Sequence, residues 1–112
     1  NIHQVKVLPD AYGFGAVVLD AGENVVRIST TEIREAPDIP QVLKSVFGEK
    51  VGPFFVQLTP KLDTAHIEQK DVDTMLSELD TLGYVWGDAG TDNLGRDSQG
   101  RLLILDGSVT RK

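Results

Sequence analysis

Three oxygen-bearing side chains, Asp88, Asn93 and Asp106, are spaced so that they could hold a divalent cation. Asn93 and Asp106 stand at the two open ends of a predicted hairpin, and such strand ends lie side by side. Carboxylate and amide oxygens suit Mg²⁺, which keeps several waters, so two protein ligands are enough. A metal centre of this kind is suited to phosphoryl transfer, where a cation neutralises phosphate oxygens.

The segments on either side of this stretch predict the elements that would position these residues. Residues 71–82 form an amphipathic pattern that Gly83 ends, which predicts a helix with Met75, Leu76 and Leu79 facing inward. The acidic residues of this stretch are expected on its solvated face. Residues 93–96 and 101–105 flank the turn-forming residues 97–100, which predicts a hairpin.

The N-terminal half predicts further strands and a second helix. Residues 4–8 are expected to form an edge strand, residues 53–58 a buried strand, and residues 16–19 and 25–29 a hairpin with a five-residue turn. Apolar residues recur with helical spacing over 38–47, which predicts the second helix. The fold class is therefore α+β, a mostly antiparallel sheet of hairpins with two helices in a single domain over 1–112.

The order helix, loop and hairpin carries a family resemblance. Trp86-Gly87-Asp88, then Asn93 five residues later and Asp106 thirteen after that, resembles the catalytic segment of protein kinases and aminoglycoside phosphotransferases. The resemblance implies a minimal kinase-like core without the helical C-terminal lobe. It also implies ATP as the nucleotide, Asp88 as the catalytic base, and Asn93 and Asp106 as Mg²⁺ ligands.

The N-terminal half matches the same family less fully. Gly13 and Gly15 precede a hairpin, as in the family's glycine-rich loop, although two glycines before a strand also form ordinary turns. Arg27 stands where the family has a phosphate-binding Lys, and its exposed guanidinium would point to the space above Asp106. The predicted helix over 38–47 contains no Glu that could pair with Arg27.

Composition narrows the functional classes. The net charge of −6 without a basic cluster argues against nucleic acid and membrane surfaces as partners. The absence of cysteine excludes a disulfide framework and fits a reducing, cytoplasmic compartment. The longest apolar run, residues 102–105, is too short to span a bilayer. The lack of an initiator methionine is compatible with a piece of a longer protein.

Two functions fit these features. The first is a small kinase-like domain that binds a nucleotide with Mg²⁺ and transfers a phosphoryl group. The second is a non-catalytic, pseudokinase-like accessory module of a larger bacterial or phage protein, which binds a protein partner through its acidic surface. The substitution of Arg27 for Lys and the missing Glu favour the second reading, and the catalytic-segment spacing favours the first.

Overall fold

The chain folds as an α+β structure in which paired antiparallel strands predominate. The computed structural model describes residues 6–8, 17–30, 37–105 and 108–112. Within these ranges there is one α-helix, a short 3-10 helix at Thr91–Asn93, and nine strands. The elements are β1 (Val7–Leu8), β2 (Val17–Ala21), β3 (Asn24–Ser29), β4 (Phe47–Val51), β5 (Phe54–Pro60), α1 (Gln69–Leu82), β6 (Tyr84–Trp86), β7 (Leu94–Arg96), β8 (Leu102–Ile104) and β9 (Val109–Arg111).

The first five strands form one sheet in the order β1-β2-β3-β5-β4, with every neighbouring pair antiparallel. The predicted hairpin of β2 and β3 is present, but its turn is shorter than the expected five residues. Only Gly22 and Glu23 separate the strands, because Gly22 takes a φ of 80° and donates its N–H to Asp20 Oδ1 at 3.0 Å. A two-residue hairpin turn requires such a positive φ.

The helix predicted over residues 38–47 is wrong. Residues 38–41 form bends and a turn, Val42 forms an isolated bridge, and strand β4 begins at Phe47. Pro37 and Pro40 restrict the backbone here, and the backbone groups of Gln41 and Leu43 bond to Ile104 instead of to residues four positions away in the chain. The helical spacing of apolar residues has another origin, which the packing below explains.

Helix α1 confirms the most regular pattern in the sequence, with one correction. Met75 and Leu79 are buried as predicted, and Gly83 ends the helix with a φ of 83°. Leu76 was expected to face inward, but 38% of it is exposed, so it lies at the border of the apolar stripe. Among the described residues, no helix combines the length and the hydropathy needed to cross a bilayer.

Asp71 corrects the expectation that the acidic residues of α1 all face solvent. It is buried and caps the helix, because its Oδ2 accepts the N–H of Glu68 at 2.9 Å. Its Oδ1 accepts from Arg96 Nη2, also at 2.9 Å, which ties α1 to strand β7. The Glu68 hydrogen bond, with help from the Arg96 charge, holds the pKa of Asp71 below its usual value.

The predicted hairpin of β7 and β8 is present, and a further strand pair brackets it. Asp97 closes the hairpin turn by accepting the backbone N–H groups of Gln99 and Arg101 at 2.9 and 2.8 Å. Strands β6 and β9, which were not predicted, pair antiparallel before and after the hairpin. Each has three residues, which is too short for a reliable alternation pattern in the sequence.

Buried apolar side chains form two clusters. The helix core lies between α1 and the short strands and contains Ile39, Val42, Val72, Met75, Leu79, Trp86, Leu94, Ile104 and Val109. The sheet core lies against β2 and β3 and contains Val18, Val25, Leu43, Leu62 and Leu105. Val42 and Leu43 thus enter different cores although they are adjacent in sequence. Packing into two cores, and not a helix, accounts for the buried residues Ile39, Val42 and Leu43 of this apolar pattern, whereas Val46 is 66% exposed.

Gly95 generates a prediction about packing between β7 and the segment after β5. A Cβ on Gly95 would lie 2.7 Å from Leu62 Cβ and 3.3 Å from the Asp63 carbonyl, whereas a Cβ on Gly48 of β4 would meet nothing closer than 3.6 Å. Gly95→Ala should lower the free energy of unfolding by about 1–3 kcal/mol through overpacking. Gly48→Ala, the control, should change it by less than about 0.5 kcal/mol. Urea unfolding measures both, and equal effects would contradict this close approach.

Asp71 generates a prediction about pH. Because its pKa is lowered in the folded state, its contribution to stability is present above the unfolded-state pKa and is lost as the pH falls below about 4. Asp71→Asn should therefore destabilise the protein at pH 6, and its deficit against wild type should shrink by pH 3. Asp73→Asn, an exposed change on the same helix, is the control. A deficit that stays constant with pH would contradict this role for Asp71.

Candidate functional site

The loop between β6 and β7 brings two of the predicted site residues together. Asn93 is buried, and its Nδ2 donates to the backbone carbonyl of Asp88 at 2.8 Å. Asp88 is exposed and takes a φ of 58°, a left-handed conformation that Asp tolerates better than most residues. The Asn93 side chain thus holds the loop in the shape that presents Asp88 to solvent.

The open end of the β7–β8 hairpin adjoins this loop on one side. Leu94 pairs with Ile104, and the N–H of Leu105 donates to the carbonyl of Asn93 at 2.8 Å. Asp106 lies outside the described residues, so its side chain is not placed. Its described neighbour Leu105 is nevertheless fixed against Asn93, which is the contact expected from the hairpin.

Strand β9 adjoins the loop on the other side. The N–H of Gly87 donates to the carbonyl of Ser108 at 2.8 Å, and Trp86 pairs with Val109. A Cβ on Gly87 would lie 2.8 Å from Ser108 Oγ, so a larger residue before Asp88 would require the Ser108 side chain to move. Ser108 was missed in the sequence because its role depends on the unpredicted pairing of β6 with β9.

The side chain of Asn93 is the described part of the predicted metal-ligand pair. Asn93 uses its amide nitrogen on the Asp88 carbonyl, which leaves its amide oxygen as the candidate ligand atom. Within the described ranges, no group of three His, Asp or Glu side chains could hold a metal ion. A cation centre here would therefore need Asp106, and no described residue replaces it.

Arg27 is on the central strand as expected, but it is more buried than the sequence led us to expect. Its guanidinium was predicted to be an exposed charge, but the residue is only 4% exposed, on the central strand β3. Its Nη2 donates to Gln57 Oε1 at 2.7 Å, across the pair that joins β3 to β5. Removing this side chain would therefore disturb the sheet itself. Gly13 and Gly15, the other predicted nucleotide contacts, lie outside the described residues.

The hairpin also borders a cleft of about 630 Å³ at its closed end. Its walls come from the turns of the β2–β3 and β7–β8 hairpins and from the segment after β5, and include Leu62 and Leu103. Asp88, Asn93 and Arg27 are not among its lining residues. The candidate catalytic end and this cleft are thus at opposite ends of the same hairpin.

The Asn93 hydrogen bond generates a prediction. Asn93→Asp keeps the shape of the side chain but leaves an ionised carboxylate facing the Asp88 carbonyl without a proton to donate. The variant should lose about 1–3 kcal/mol of unfolding free energy at pH 7. Asp92→Asn, the reverse exchange at the exposed neighbour, should cost less than about 0.5 kcal/mol. Thermal unfolding without added metal measures both, and a stable Asn93→Asp variant would contradict the loop-holding role.

Comparison with known proteins identifies a shared fold. No family model matches the chain, and no curated protein matches it in sequence. Among solved structures, the crystal structure of WbdD superposes with a TM-score of 0.62 over 96% of this chain, at 10% sequence identity. The match spans 33% of the WbdD chain, so this chain corresponds to about a third of that protein's length. The likeness shows that the chain shares its fold with part of WbdD.

Proposed function

We propose that this chain is a kinase-like domain that binds ATP with Mg²⁺ and transfers a phosphoryl group to an acceptor. The observation that carries the proposal is the hydrogen bond from Asn93 to the Asp88 carbonyl, together with that from Leu105 to Asn93. These bonds join the loop that bears Asp88 to the strand that leads to Asp106. The family resemblance of this segment supplies the residue roles.

In this proposal each residue has a distinct task. Asn93, through its amide oxygen, and Asp106 would hold Mg²⁺, whose charge would neutralise phosphate oxygens of the nucleotide. Asp88 would orient the acceptor hydroxyl and accept its proton as the oxygen attacks the terminal phosphorus and ADP departs. The exposure of Asp88 leaves it accessible to an acceptor.

The proposed nucleotide contacts of the sheet have less structural support than the residues of the hairpin and its loop. Gly13 and Gly15 precede β2 and would supply backbone N–H groups to the phosphates, as in a glycine-rich loop. Arg27 would be the basic partner of a phosphate, but its guanidinium already holds Gln57 within the sheet. The proposal therefore depends on Asp88, Asn93 and Asp106 more than on the sheet residues.

A second candidate, a non-catalytic interaction module, is favoured by the region around Arg27. Arg27 stands in place of the family's phosphate-binding Lys, and its guanidinium is buried and donates to Gln57 within the sheet. Helix α1 presents exposed acidic side chains at Asp73, Glu78 and Asp80, which could contact a basic partner. This module would keep the fold without phosphoryl transfer.

Calorimetric titration distinguishes the two candidates. A kinase-like domain should bind ATP in the presence of Mg²⁺ and bind it much more weakly in EDTA, because Asn93 and Asp106 would hold the Mg²⁺ whose charge neutralises the phosphates. Asp106→Ala should abolish the Mg²⁺-dependent part of the binding. Asp92→Asn, in the same loop but outside the proposed ligand set, is the control and should bind as wild type does.

Turnover is tested by Asp88→Asn. This variant should keep nucleotide affinity, because Asp88 acts on the acceptor, while lowering ATP turnover by about 10²–10⁴-fold. A wild-type protein that binds no nucleotide with Mg²⁺ would leave the interaction module as the better account. Mg²⁺-dependent ATP binding that survives Asp106→Ala would show that the metal site lies elsewhere in the chain.

A further inference from the structure

Both backbone groups of Ile104 in β8 form hydrogen bonds with a segment far away in sequence. Its N–H donates to the Gln41 carbonyl at 2.7 Å, and its carbonyl accepts the N–H of Leu43 at 2.9 Å. Val42 and Ile104 form a parallel bridge, whereas all the paired strands of the described residues are antiparallel. Ile104 is only 1% exposed, so water cannot replace these partners.

The residue that follows Ile104 is bonded on the opposite edge of the strand. Leu105 donates its N–H to the carbonyl of Asn93 at 2.8 Å. The end of β8 is therefore held from both sides, by residues 41–43 on one edge and by Asn93 on the other. Asp106 comes next in the chain, so the backbone that enters its position is fixed by both contacts.

Side-chain packing sets the register of this contact. Val42 and Ile104 enter the helix core, while Leu43 and Leu105 enter the sheet core. A slip of one residue between the two segments would send each of these side chains toward the wrong core. The contact thus has one favourable register. Both cores include residues from each of the two segments that it joins, residues 42–43 and 104–105.

We propose that Gln41, Val42 and Leu43 act as a positioning clamp, which fixes the Asn93 and Leu105 end of the hairpin relative to the large sheet. A helix over these residues would use its backbone hydrogen bonds internally and could move as a separate body. The clamp instead forms backbone hydrogen bonds with β8, so the sheet and the candidate metal site move together. The role of the site rests on the proposed function, whereas the hydrogen bonds of the clamp do not depend on it.

Hydrogen exchange tests the clamp without any ligand. In the wild-type chain the amides of Ile104 and Leu105 should be among the slowest to exchange, near the rate set by global unfolding. Leu43→Ala removes the side chain that seats the clamp in the sheet core. Leu79→Ala is the matched control, because it removes the same buried side chain from α1. After the exchange rates are corrected for each variant's free energy of unfolding, Leu43→Ala should speed exchange at Leu105 about tenfold more than Leu79→Ala does.

ATP titration with Mg²⁺ then tests the positioning role. Leu43→Ala should weaken binding about tenfold, while Leu79→Ala should stay within about twofold of wild type. Equal exchange at Leu105 in the two variants, or equal loss of affinity, would overturn the clamp. If wild type binds no nucleotide, the proposed function fails, and the exchange comparison still decides the clamp. If Leu43→Ala does not fold, Leu43→Val takes its place, and rapid wild-type exchange at Ile104 would by itself be decisive against the clamp.

Discussion

The whole arrangement depends on strand β8 being hydrogen bonded along both edges. One edge pairs with β7 and, at its end, with Asn93; the other receives the backbone of residues 41–43. Because Ile104 is fully enclosed, its two backbone groups must have protein partners, and this requirement brings the N-terminal sheet onto the hairpin. The two apolar cores meet at this strand, so neither is independent of it. The candidate site lies at its end.

Local signals in the sequence were enough to predict the elements that form from neighbouring residues. The helix over 71–82 and the hairpins around Gly22 and Asp97 are present because spacing, turn chemistry and a terminating glycine all act within a few residues. The helix over 38–47 failed for the opposite reason. Its buried apolar residues Ile39, Val42 and Leu43 enter two separate cores, and the hydrogen-bond partner of its backbone, Ile104, is distant in sequence. Strands β6 and β9 were missed because they form only by pairing with each other.

The candidate site was predictable to a similar extent. The meeting of Asp88 with Asn93 follows from a short loop, and the contact of Asn93 with Leu105 follows from the hairpin, so both could be read from spacing. The burial of Arg27 could not, since its neighbour Gln57 is brought alongside only by sheet pairing. The burial of Asp71 could not be predicted either, because its partner Arg96 belongs to β7, which is distant in sequence. Long-range pairing decides which charged residues leave the surface.

The parallel bridge at Val42 also shapes how the chain must fold. The β2–β3, β4–β5 and β7–β8 hairpins close short loops, so each can form early at small entropic cost. The bridge to Ile104 joins residues separated by strands β4 and β5, helix α1 and strands β6 and β7, and the pairing of β6 with β9 must enclose the β7–β8 hairpin. The two cores are complete only when these contacts form. The contacts of Asn93 with Asp88 and Leu105 can form with this local hairpin, but their position relative to the large sheet is fixed only when residues 41–43 bond to Ile104.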